Sequence, residues 1–382
     1  MRDFTQTRLR DIASRVAVRN STGNTNVLTI SAAHGLVSQE EYFNRRVASA
    51  DVSQYYLLRE GDFAYNKSYS TGWPVGVVRR LERYSRGVVS PLYICFRPDS
   101  TQVDPSYLQY YFDSGALNDE VLLIAKEGVR NHGLLNVGVN DFFDLPLILP
   151  SLAKQRRIAK ILDEVGAQID LLRSTELKNR HLNEGLVSRL LEGDEHWRSL
   201  PIGELGILAT GRTPAVDFTS STSTDIPFVT PSEISDGGRV SRPERAAERD
   251  SDGVVNIPAG ATLTVCIGFG IGKVGFLDFD ACVNQQINAL IPHAEMDETF
   301  VFHSLKTASH QIKAQAPLQV TPIINKTEFS KITVKVPNLA EQKRISGIIA
   351  QITIEADAIQ QEIAKLQTVK QALMGDLFTR TV

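Results

Sequence analysis

With 382 residues, the chain is longer than one hydrophobic core usually serves, so two domains or two lobes are expected. Its composition, 42% hydrophobic and 22% charged, is globular, and it has a charged start and no apolar run near the roughly 18 residues of a membrane span. We therefore expect a soluble, cytoplasmic protein with no membrane partner. The net charge of −3 argues mildly against nucleic-acid binding, so any bound DNA would need local basic loops or a partner subunit that supplies positive charge.

The first segment, residues 1–148, alternates short β-rich runs with Gly, Pro, Asn and Ser clusters, which predicts a mixed α+β lobe. Reading DNA bases requires hydrogen-bonding side chains on loops, with cations nearby for phosphates. The stretches YNKSYSTG and KEGVRNHG supply such side chains, and the candidates are Asn66, Lys67, Tyr69, Thr71, Lys126, Arg130, Asn131 and His132. Each is also compatible with an ordinary polar turn, and His132 with a hydrogen-bonded loop histidine.

Residues 149–193 predict a long central helix. Ser151, after a proline, suits an N-cap, and Gly193 suits the C-cap ahead of the linker GDEHWRSLP. Apolar residues at the alternating spacing of a coiled-coil seam are Ile158, Leu162, Val165, Ile169, Leu172, Leu186 and Leu190. The seam breaks at Glu176, Asn179 and Asn183, where Leu177 and Leu182 indicate a shifted apolar stripe.

Residues 194–335 predict a second mixed α+β lobe, with 12 basic and 17 acidic residues between 194 and 336. GFGIGKVG holds a G-x-G-x-x-G spacing, but an extended pattern follows it instead of a helix, so a glycine-rich hairpin or loop is expected rather than a nucleotide site. The DNA-binding candidates in this lobe are Arg212, Thr213, Lys273, Gln315, Gln319, Thr321 and Lys326.

Residues 336–382 repeat the beginning of the first helix. VPNLAEQKRISGI matches LPSLAKQRRIAKI, 187 residues earlier, at seven of thirteen positions, which indicates an internal duplication. Asn338 with Glu341 predicts a capping box, and the seam residues are Ile345, Ile349, Ile352, Ile359, Ile363, Leu366 and Leu373. At about 40 residues each, the helices would be roughly 60 Å long. Each could pack on its own lobe, but the duplication favours an antiparallel pair in which the two seams bury each other.

At this point the chain resembles the specificity subunits of type I DNA restriction-modification systems. The resemblance covers nearly the whole chain and is carried by LPSLAKQRRIAKILDEVGAQID and VPNLAEQKRISGIIAQITIEAD, together with IGELGILATGRTP and IPFVTPSEI in the second lobe. In the first lobe, REGDFAYNKSYSTGWPVGVV, VSPLYICFRP and GVRNHGLLNVGVNDFFDLPLILP are also similar.

The resemblance implies an α+β fold in which two target recognition domains are separated by two long antiparallel coiled-coil helices, as a pseudo-two-fold tandem repeat. Each lobe would read one half of a bipartite target in double-stranded DNA. The helices would set the spacer and dock two modification (methyltransferase) subunits, which would carry S-adenosylmethionine. Restriction subunits would add ATP- and Mg-dependent cleavage, and this chain would bind no cofactor itself.

The residues themselves do not indicate catalysis. An amino-methyltransferase motif of the N/D-P-P-Y/F type does not occur, since Asp104-Pro105 continues as Ser-Tyr. Three cysteines without a CxxC spacing and seven histidines without HxxxH or HxH indicate neither a disulfide framework nor a zinc site. The alternative from another functional class is a coiled-coil scaffold whose lobes bind proteins rather than DNA, which the acidic second lobe favours slightly.

Overall fold

The computed structural model describes residues 4–32, 34–45, 51–68, 72–125, 135–213, 219–220, 225–248, 254–315 and 322–378. The chain forms two compact units: unit 1 is Met1–Arg173 with Gln361–Val382, and unit 2 is Ser174–Gln360. The predicted mixed α+β class with two long helices is confirmed. None of the helices in the described ranges combines the length and apolar character needed to cross a membrane.

Unit 1 is built around an antiparallel four-stranded sheet of order β2-β9-β6-β7, with separate pairs β1-β10, β3-β4 and β5-β8. Its strands are β1 (Phe4–Arg8), β2 (Ala13–Arg15), β3 (Leu28–Ser31), β4 (Gly35–Ser38), β5 (Tyr56–Arg59), β6 (Phe63–Asn66), β7 (Val77–Arg80), β8 (Arg86–Val89), β9 (Ile94–Pro98) and β10 (Pro146–Pro150). Its helices are α1 (Leu9–Ile12), α2 (Gln39–Phe43), α3 (Pro105–Asp113), α4 (Asn118–Ile124), α5 (Val139–Phe143) and the first part of the long α6 (Leu152–Leu191).

Unit 2 repeats this plan with a four-stranded sheet of order β12-β19-β16-β17 and a β11-β20 pair, and adds a sheet β13-β15-β14-β18. The strands are β11 (Arg198–Pro201), β12 (Gly206–Thr210), β13 (Thr219–Ser220), β14 (Asp225–Val229), β15 (Arg245–Glu248), β16 (Thr262–Val265), β17 (Val274–Phe276), β18 (Cys282–Val283), β19 (Ile287–Pro292) and β20 (Thr333–Val336). The helices are α7 (Glu298–Thr307), α8 (Ser309–Gln315), α9 (Lys326–Lys331) and the long α10 (Leu339–Phe378), which begins in unit 2 and ends in unit 1.

Large side chains from the central strands fill the core of each unit. In unit 1, Phe63 on β6 stacks on Phe96 on β9 with ring centroids 5.1 Å apart, and Tyr65 stacks on Phe142 of α5 at 4.6 Å. In unit 2, α7 lies against the sheet and buries Phe300 in the core. Burial of aromatic side chains supplies most of the stabilising area in such cores, so these strands and helices hold each lobe together.

The two long helices run antiparallel within each unit. In unit 1, the core that contains Leu162 of α6 also contains Phe378 of α10, while Gly166 lies beside Lys370. Higher residue numbers on α6 therefore meet lower numbers on α10. All the predicted seam residues of this unit are buried or half-buried, namely Ile158, Leu162, Val165, Ile169, Leu172, Ile363, Leu366 and Leu373.

The same antiparallel direction holds in unit 2. Leu191 of α6 shares a core with Ile345 of α10, and Glu176 accepts a hydrogen bond of 2.8 Å from the Gln360 side chain. The seam residues predicted in this unit, Ile345, Ile349, Ile352, Ile359 and Leu190, are again buried or half-buried. Leu186 is 44% exposed, so its predicted place in the seam is wrong; the neighbouring Val187 packs against the core instead.

The expectation of a shifted apolar stripe in the second half of α6 is wrong. Leu177 and Leu182 are 56% and 70% exposed, whereas Glu176, Asn179 and Asn183 occupy half-buried seam positions. Polar side chains are tolerated at these half-buried positions because they can form hydrogen bonds, as Glu176 does with Gln360.

The helix termini also differ in one detail from expectation. Asn338 caps α10 by accepting a hydrogen bond of 3.0 Å from the Glu341 N–H, as predicted. The Glu341 carboxylate binds Arg344 Nε at 2.7 Å instead of returning to the cap, because Arg344 lies one turn along the same face. Gly193 follows α6 with φ +65°, which confirms the expected left-handed C-cap.

A buried glutamine joins each long helix to its lobe. Gln155 is 2% exposed; its Oε1 accepts from the Asp104 N–H at 2.9 Å and its Nε2 donates to the Pro150 carbonyl at 2.9 Å. Asp104 in turn caps α3 by accepting from the Tyr107 N–H at 2.9 Å. One side chain therefore fixes the end of β10, the first turn of α6 and the start of α3.

Unit 2 contains the same arrangement. Gln342, also 2% exposed, accepts from the Asp297 N–H at 2.9 Å and donates to the Pro337 carbonyl at 3.0 Å. Asp297 caps α7 by accepting from the Phe300 N–H at 2.9 Å. We call each set, Gln155 with Asp104 and Gln342 with Asp297, a glutamine latch. The identity of these two glutamines in the sequence repeat is explained by this shared role.

Replacing either latch glutamine should destabilise its own unit. Gln155→Ala leaves the Asp104 N–H and the Pro150 carbonyl buried without this partner, which should cost about 1–3 kcal/mol. Hydrogen–deuterium exchange would locate the loss: faster exchange in α3 and the start of α6 for Gln155→Ala, and in α7 and the start of α10 for Gln342→Ala.

Gln168→Ala is the matched control, since Gln168 is exposed on α6 and its replacement should change exchange little. Equal protection of α3 in the Gln155→Ala and Gln168→Ala variants would contradict a stabilising role for the latch.

Candidate nucleic-acid interface

In unit 2, polar residues after β12 meet a polar turn before β19. Gly211 is pressed against this turn, and a Cβ there would lie 2.1 Å from the Asn284 carbonyl oxygen, so only glycine fits. The next two residues, Arg212 and Thr213, are exposed, and the Thr213 hydroxyl donates to Gln285 Oε1. The close glycine contact thus places an arginine, a threonine and a glutamine on one surface.

The turn Asn284–Gln286 is not among the DNA-binding candidates predicted from the sequence. The buried Asn284 donates from Nδ2 to Gln286 Oε1 at 2.9 Å and accepts from the Gln286 N–H at 3.1 Å, which leaves Gln285 exposed between them. The available signal was the polar run NQQ between Val283 and Ile287 in an otherwise apolar strand pattern. Two long amide side chains at a strand entry are the kind of group that reads adenine edges.

The glycine-rich segment GFGIG forms the neighbouring loop between β16 and β17, as expected, and no helix begins there. Gln286 Nε2 lies 3.4 Å from the Ile267 carbonyl, and the Gly268 N–H donates to the Pro322 carbonyl at 2.9 Å. The loop ends at Lys273, which is half-buried and lies 3.7 Å from Asp236. Gln286 therefore connects the surface of Arg212 and Thr213 to the loop that carries Lys273.

The remaining candidates in unit 2 lie on other elements. Gln315 is the exposed last residue of α8, and Lys326 is the exposed first residue of α9. Among the described residues, no hydrogen bond or ion pair joins either of them to Arg212 or Lys273. Gln319 and Thr321 lie outside the described residues.

In unit 1, two candidates follow β6. Asn66 is half-buried, and its Oδ1 accepts from the Ser68 N–H at 3.1 Å. Lys67 Nζ lies 3.5 Å from the Val137 carbonyl, and burial lowers the pKa of this ammonium group. The Leu135 N–H donates to the Lys67 carbonyl at 3.0 Å, which connects the end of β6 to the segment before α5. In unit 2, the hydrogen bond from the Gly268 N–H to the Pro322 carbonyl makes a similar connection.

Tyr69, Thr71, Lys126, Arg130, Asn131 and His132 lie outside the described residues. In unit 1, therefore, Asn66 and Lys67 lie side by side at the end of β6. The Asn66 side chain accepts from the Ser68 N–H, and Lys67 Nζ lies near the Val137 carbonyl.

The three cysteines belong to the hydrophobic cores of the two units. Within the described ranges, no group of three or more His, Cys, Asp or Glu side chains is arranged to hold a metal ion. Cys95, Cys266 and Cys282 are free and buried, and burial raises the pKa of Cys95 to about 12 and of the other two to about 11. Such thiols stay protonated at neutral pH and are poor nucleophiles.

Residues 194–368 match the family model described as "Type I restriction modification DNA specificity domain". Over these residues the chain is similar to that domain. The resemblance predicted from the sequence is thereby confirmed. The match includes the whole of the second lobe from β11 to β20 and most of α10, and so contains the glutamine latch of unit 2 and the surface around Arg212.

Known specificity subunits are similar over parts of the chain. The type I restriction enzyme MjaVIII specificity subunit of Methanocaldococcus jannaschii is 30% identical over 112 residues, which cover 29% of this chain and 25% of the relative. The EcoR124I/EcoR124II specificity subunit of Escherichia coli is 28% identical over 216 residues, which cover 52% of each. The chain therefore spans a quarter to about half of these two relatives.

The fold is shared over nearly the full length with a solved structure. The type I restriction-modification system S subunit from M. genitalium superposes with a TM-score of 0.59 at 14% identity, covering 98% of this chain and 96% of that one. At this identity the likeness concerns the fold alone: mixed lobes in combination with two long helices.

Unit 2 also contains a histidine whose protonation is linked to folding. Burial on α7, and secondly the charge of Lys306, lower the pKa of His303 to about 4. An unfolded chain binds a proton on this imidazole below about pH 6.5, and the folded chain does so only near pH 4. Between these values the unfolded state binds more protons, so the contribution of His303 to stability falls as the pH is lowered.

Acidification from pH 8 to pH 5 should therefore cost the wild-type chain about 2 kcal/mol more than a His303→Gln variant. Urea unfolding followed at both pH values would measure the difference. The exposed His196→Gln variant is the control and should keep the wild-type pH dependence. An identical pH dependence of wild type and His303→Gln would show that His303 does not stay neutral in the fold.

Proposed function

We propose that the chain is the DNA specificity subunit of a type I restriction-modification complex. The observation that carries the proposal is the duplication: both units contain the same four-strand order and the same glutamine latch, and one of them matches the DNA specificity domain. Two lobes of one design, each with its own polar loops, suit a DNA target in two halves. Each lobe reads one half.

The proposed division of the chain is a target recognition domain at 1–148, a spacer helix at 149–193, a second target recognition domain at 194–335 and a second spacer helix at 336–382. The antiparallel seams within each unit support a rigid helical pair, since each buries apolar side chains of both helices. In this proposal the pair sets the unread spacer between the half-sites and docks two modification subunits, with restriction subunits joining them.

We assign no reaction and no cofactor to this chain. S-adenosylmethionine for adenine methylation, and ATP and Mg for cleavage, are assigned to the partner subunits. The role of this chain is positioning: polar side chains such as Arg212, Thr213 and Gln285 meet base edges, and nearby lysines meet phosphates. The same contacts would make binding salt-dependent, because each neutralised phosphate releases counterions.

Exchange of residues 1–148 for the corresponding lobe of another specificity subunit should change one half of the methylated site and leave the other half unaltered. Each lobe has its own core, so its reading surface is expected to be independent. The measurement is single-molecule sequencing of methyladenine in cells that express the chimaera with its modification subunit. Exchange of residues 194–335 is the reciprocal control, and a change of both halves by either exchange would rule out independent lobes.

Lengthening both helices by one heptad should lengthen the spacer. Glu176 and Gln360 lie opposite each other, so a seven-residue insertion after each keeps the seam in phase. At 1.5 Å per residue the insertion adds about 10.5 Å, or roughly three base pairs at 3.4 Å each. Methyladenine sequencing would report the spacer.

The control variant has no insertion. It carries conservative replacements at seven exposed positions of the two helices near Glu176 and Gln360, and it should keep the parental spacer. If the double-insertion variant methylates the parental site, the helices do not set the spacing.

A further inference from the structure

Phe269, in the loop between β16 and β17, is 99% exposed. Phenylalanine side chains normally bury a large apolar area, so complete exposure leaves a substantial part of its hydrophobic free energy unused in the folded chain. Within the described ranges, the other exposed large hydrophobic residues all keep a smaller exposed fraction. This side chain is therefore available to a partner.

The loop that carries Phe269 is firmly held on both sides. The Ile271 N–H donates to the Gly268 carbonyl at 3.0 Å, and the Gly272 N–H donates to the Val265 carbonyl at 2.9 Å. Ile271 is only 8% exposed and belongs to the core of unit 2. Gly268 and Gly272 have φ values of +89° and +79°, which glycine adopts without strain. The fold thus presents Phe269 on a fixed turn, and Ile271, two residues later, holds that turn to the core of unit 2.

Cations surround the base of this loop. A cavity of about 520 Å³ is lined by the loop and by residues of α7 and α8, including Lys273, Lys306 and Lys313. Lys306 donates a hydrogen bond of 2.6 Å to the Gly237 carbonyl, and burial lowers the pKa of its ammonium group. One carboxylate, Asp236, also lines it and lies 3.7 Å from Lys273. In the part of the chain that the structure describes, Lys313 forms no ion pair. Although residues 194–336 are acidic in total, positive charge is concentrated beside the exposed aromatic ring.

We propose that Phe269 inserts into the base stack of the bound DNA, while Lys273 and Lys313 hold the phosphates beside the insertion point. The inference rests on the proposed function, because it names the group by which the second lobe deforms its half-site. Apolar wedges on DNA-binding proteins unstack base steps in this way. Lys273 and Lys313 favour DNA over an apolar protein surface, since a protein partner would have to desolvate their ammonium groups.

The experiment uses the full chain assembled with its modification subunits and a duplex carrying the target mapped by methyladenine sequencing. Affinity is measured over a series of salt concentrations. Phe269→Ala should weaken binding about 5- to 150-fold, the range expected for the loss of one base–aromatic stack, with an unchanged salt slope. Lys313→Gln should weaken binding and lower the salt slope by about one.

Base insertion itself is read by 2-aminopurine placed at successive steps of the second half-site. Wild type should raise its fluorescence at one step, Phe269→Ala should not, and Phe269→Trp should restore unstacking. Ile207→Ala is the matched control, since it also removes an exposed apolar side chain, 61% exposed, from unit 2. Because Phe269 is fully exposed, its variants should keep the wild-type urea transition.

The outcomes separate this inference from the proposed function. Wild-type binding to a bipartite target with equal affinity and fluorescence for Phe269→Ala would overturn the wedge and leave the specificity function standing. Unchanged DNA affinity with weaker assembly of the modification subunits would make the loop a protein contact, and the wedge would be wrong. A chain that directs no methylation and binds no DNA would overturn both proposals.

Discussion

The structure depends on a hydrogen-bonded connection that occurs once in each unit. Gln155 and Gln342 are almost fully buried. The side-chain amide of each forms hydrogen bonds with two backbone groups, one at the N-cap of a lobe helix and one at the end of a strand. Buried backbone groups are costly to leave unpaired, so the long helix can begin in only one position relative to its lobe. Together with the apolar core that each lobe shares with its helix, this side chain helps to set how the lobe lies on the helix.

From this fixed start, each helix extends for 40 residues with its apolar stripe turned to the other helix. The seam is not uniformly apolar, and the polar residues Glu176, Asn179 and Asn183 are held in half-buried positions in unit 2. The Glu176 carboxylate accepts a hydrogen bond from Gln360 on α10, so polar residues here still face the other helix. Exposure of Leu177 and Leu182 is the consequence, and it costs little because isolated surface leucines are common.

The shape of the proposed DNA surface of unit 2 depends on glycines, and the net charge of the lobe matters less. Gly211 allows β12 to approach the Asn284 turn, and Gly268 and Gly272 let the next loop turn sharply enough to expose Phe269. Arg212, Gln285 and Lys273 then project from short, hydrogen-bonded segments, where few rotamers remain to be lost on binding. A net negative lobe is compatible with a DNA-binding face because the cations are gathered around one loop.

The sequence alone determined the elements with strong periodicity or strict local chemistry. The two helices were predictable because the apolar spacing persists over many turns, the internal repeat because seven of thirteen residues recur, and the left-handed cap because Gly193 follows the last periodic residue. The tertiary structure decided what depends on residues distant in sequence. Gln155 and Gln342 were visible as repeated letters, but their partners lie 51 and 45 residues away, and no local pattern links them. The meeting of Thr213 with Gln285, and the exposure of Phe269 beside three lysines, likewise arise only when separate strands and helices pack, since hydrogen bonding and burial are properties of neighbours in space rather than along the chain.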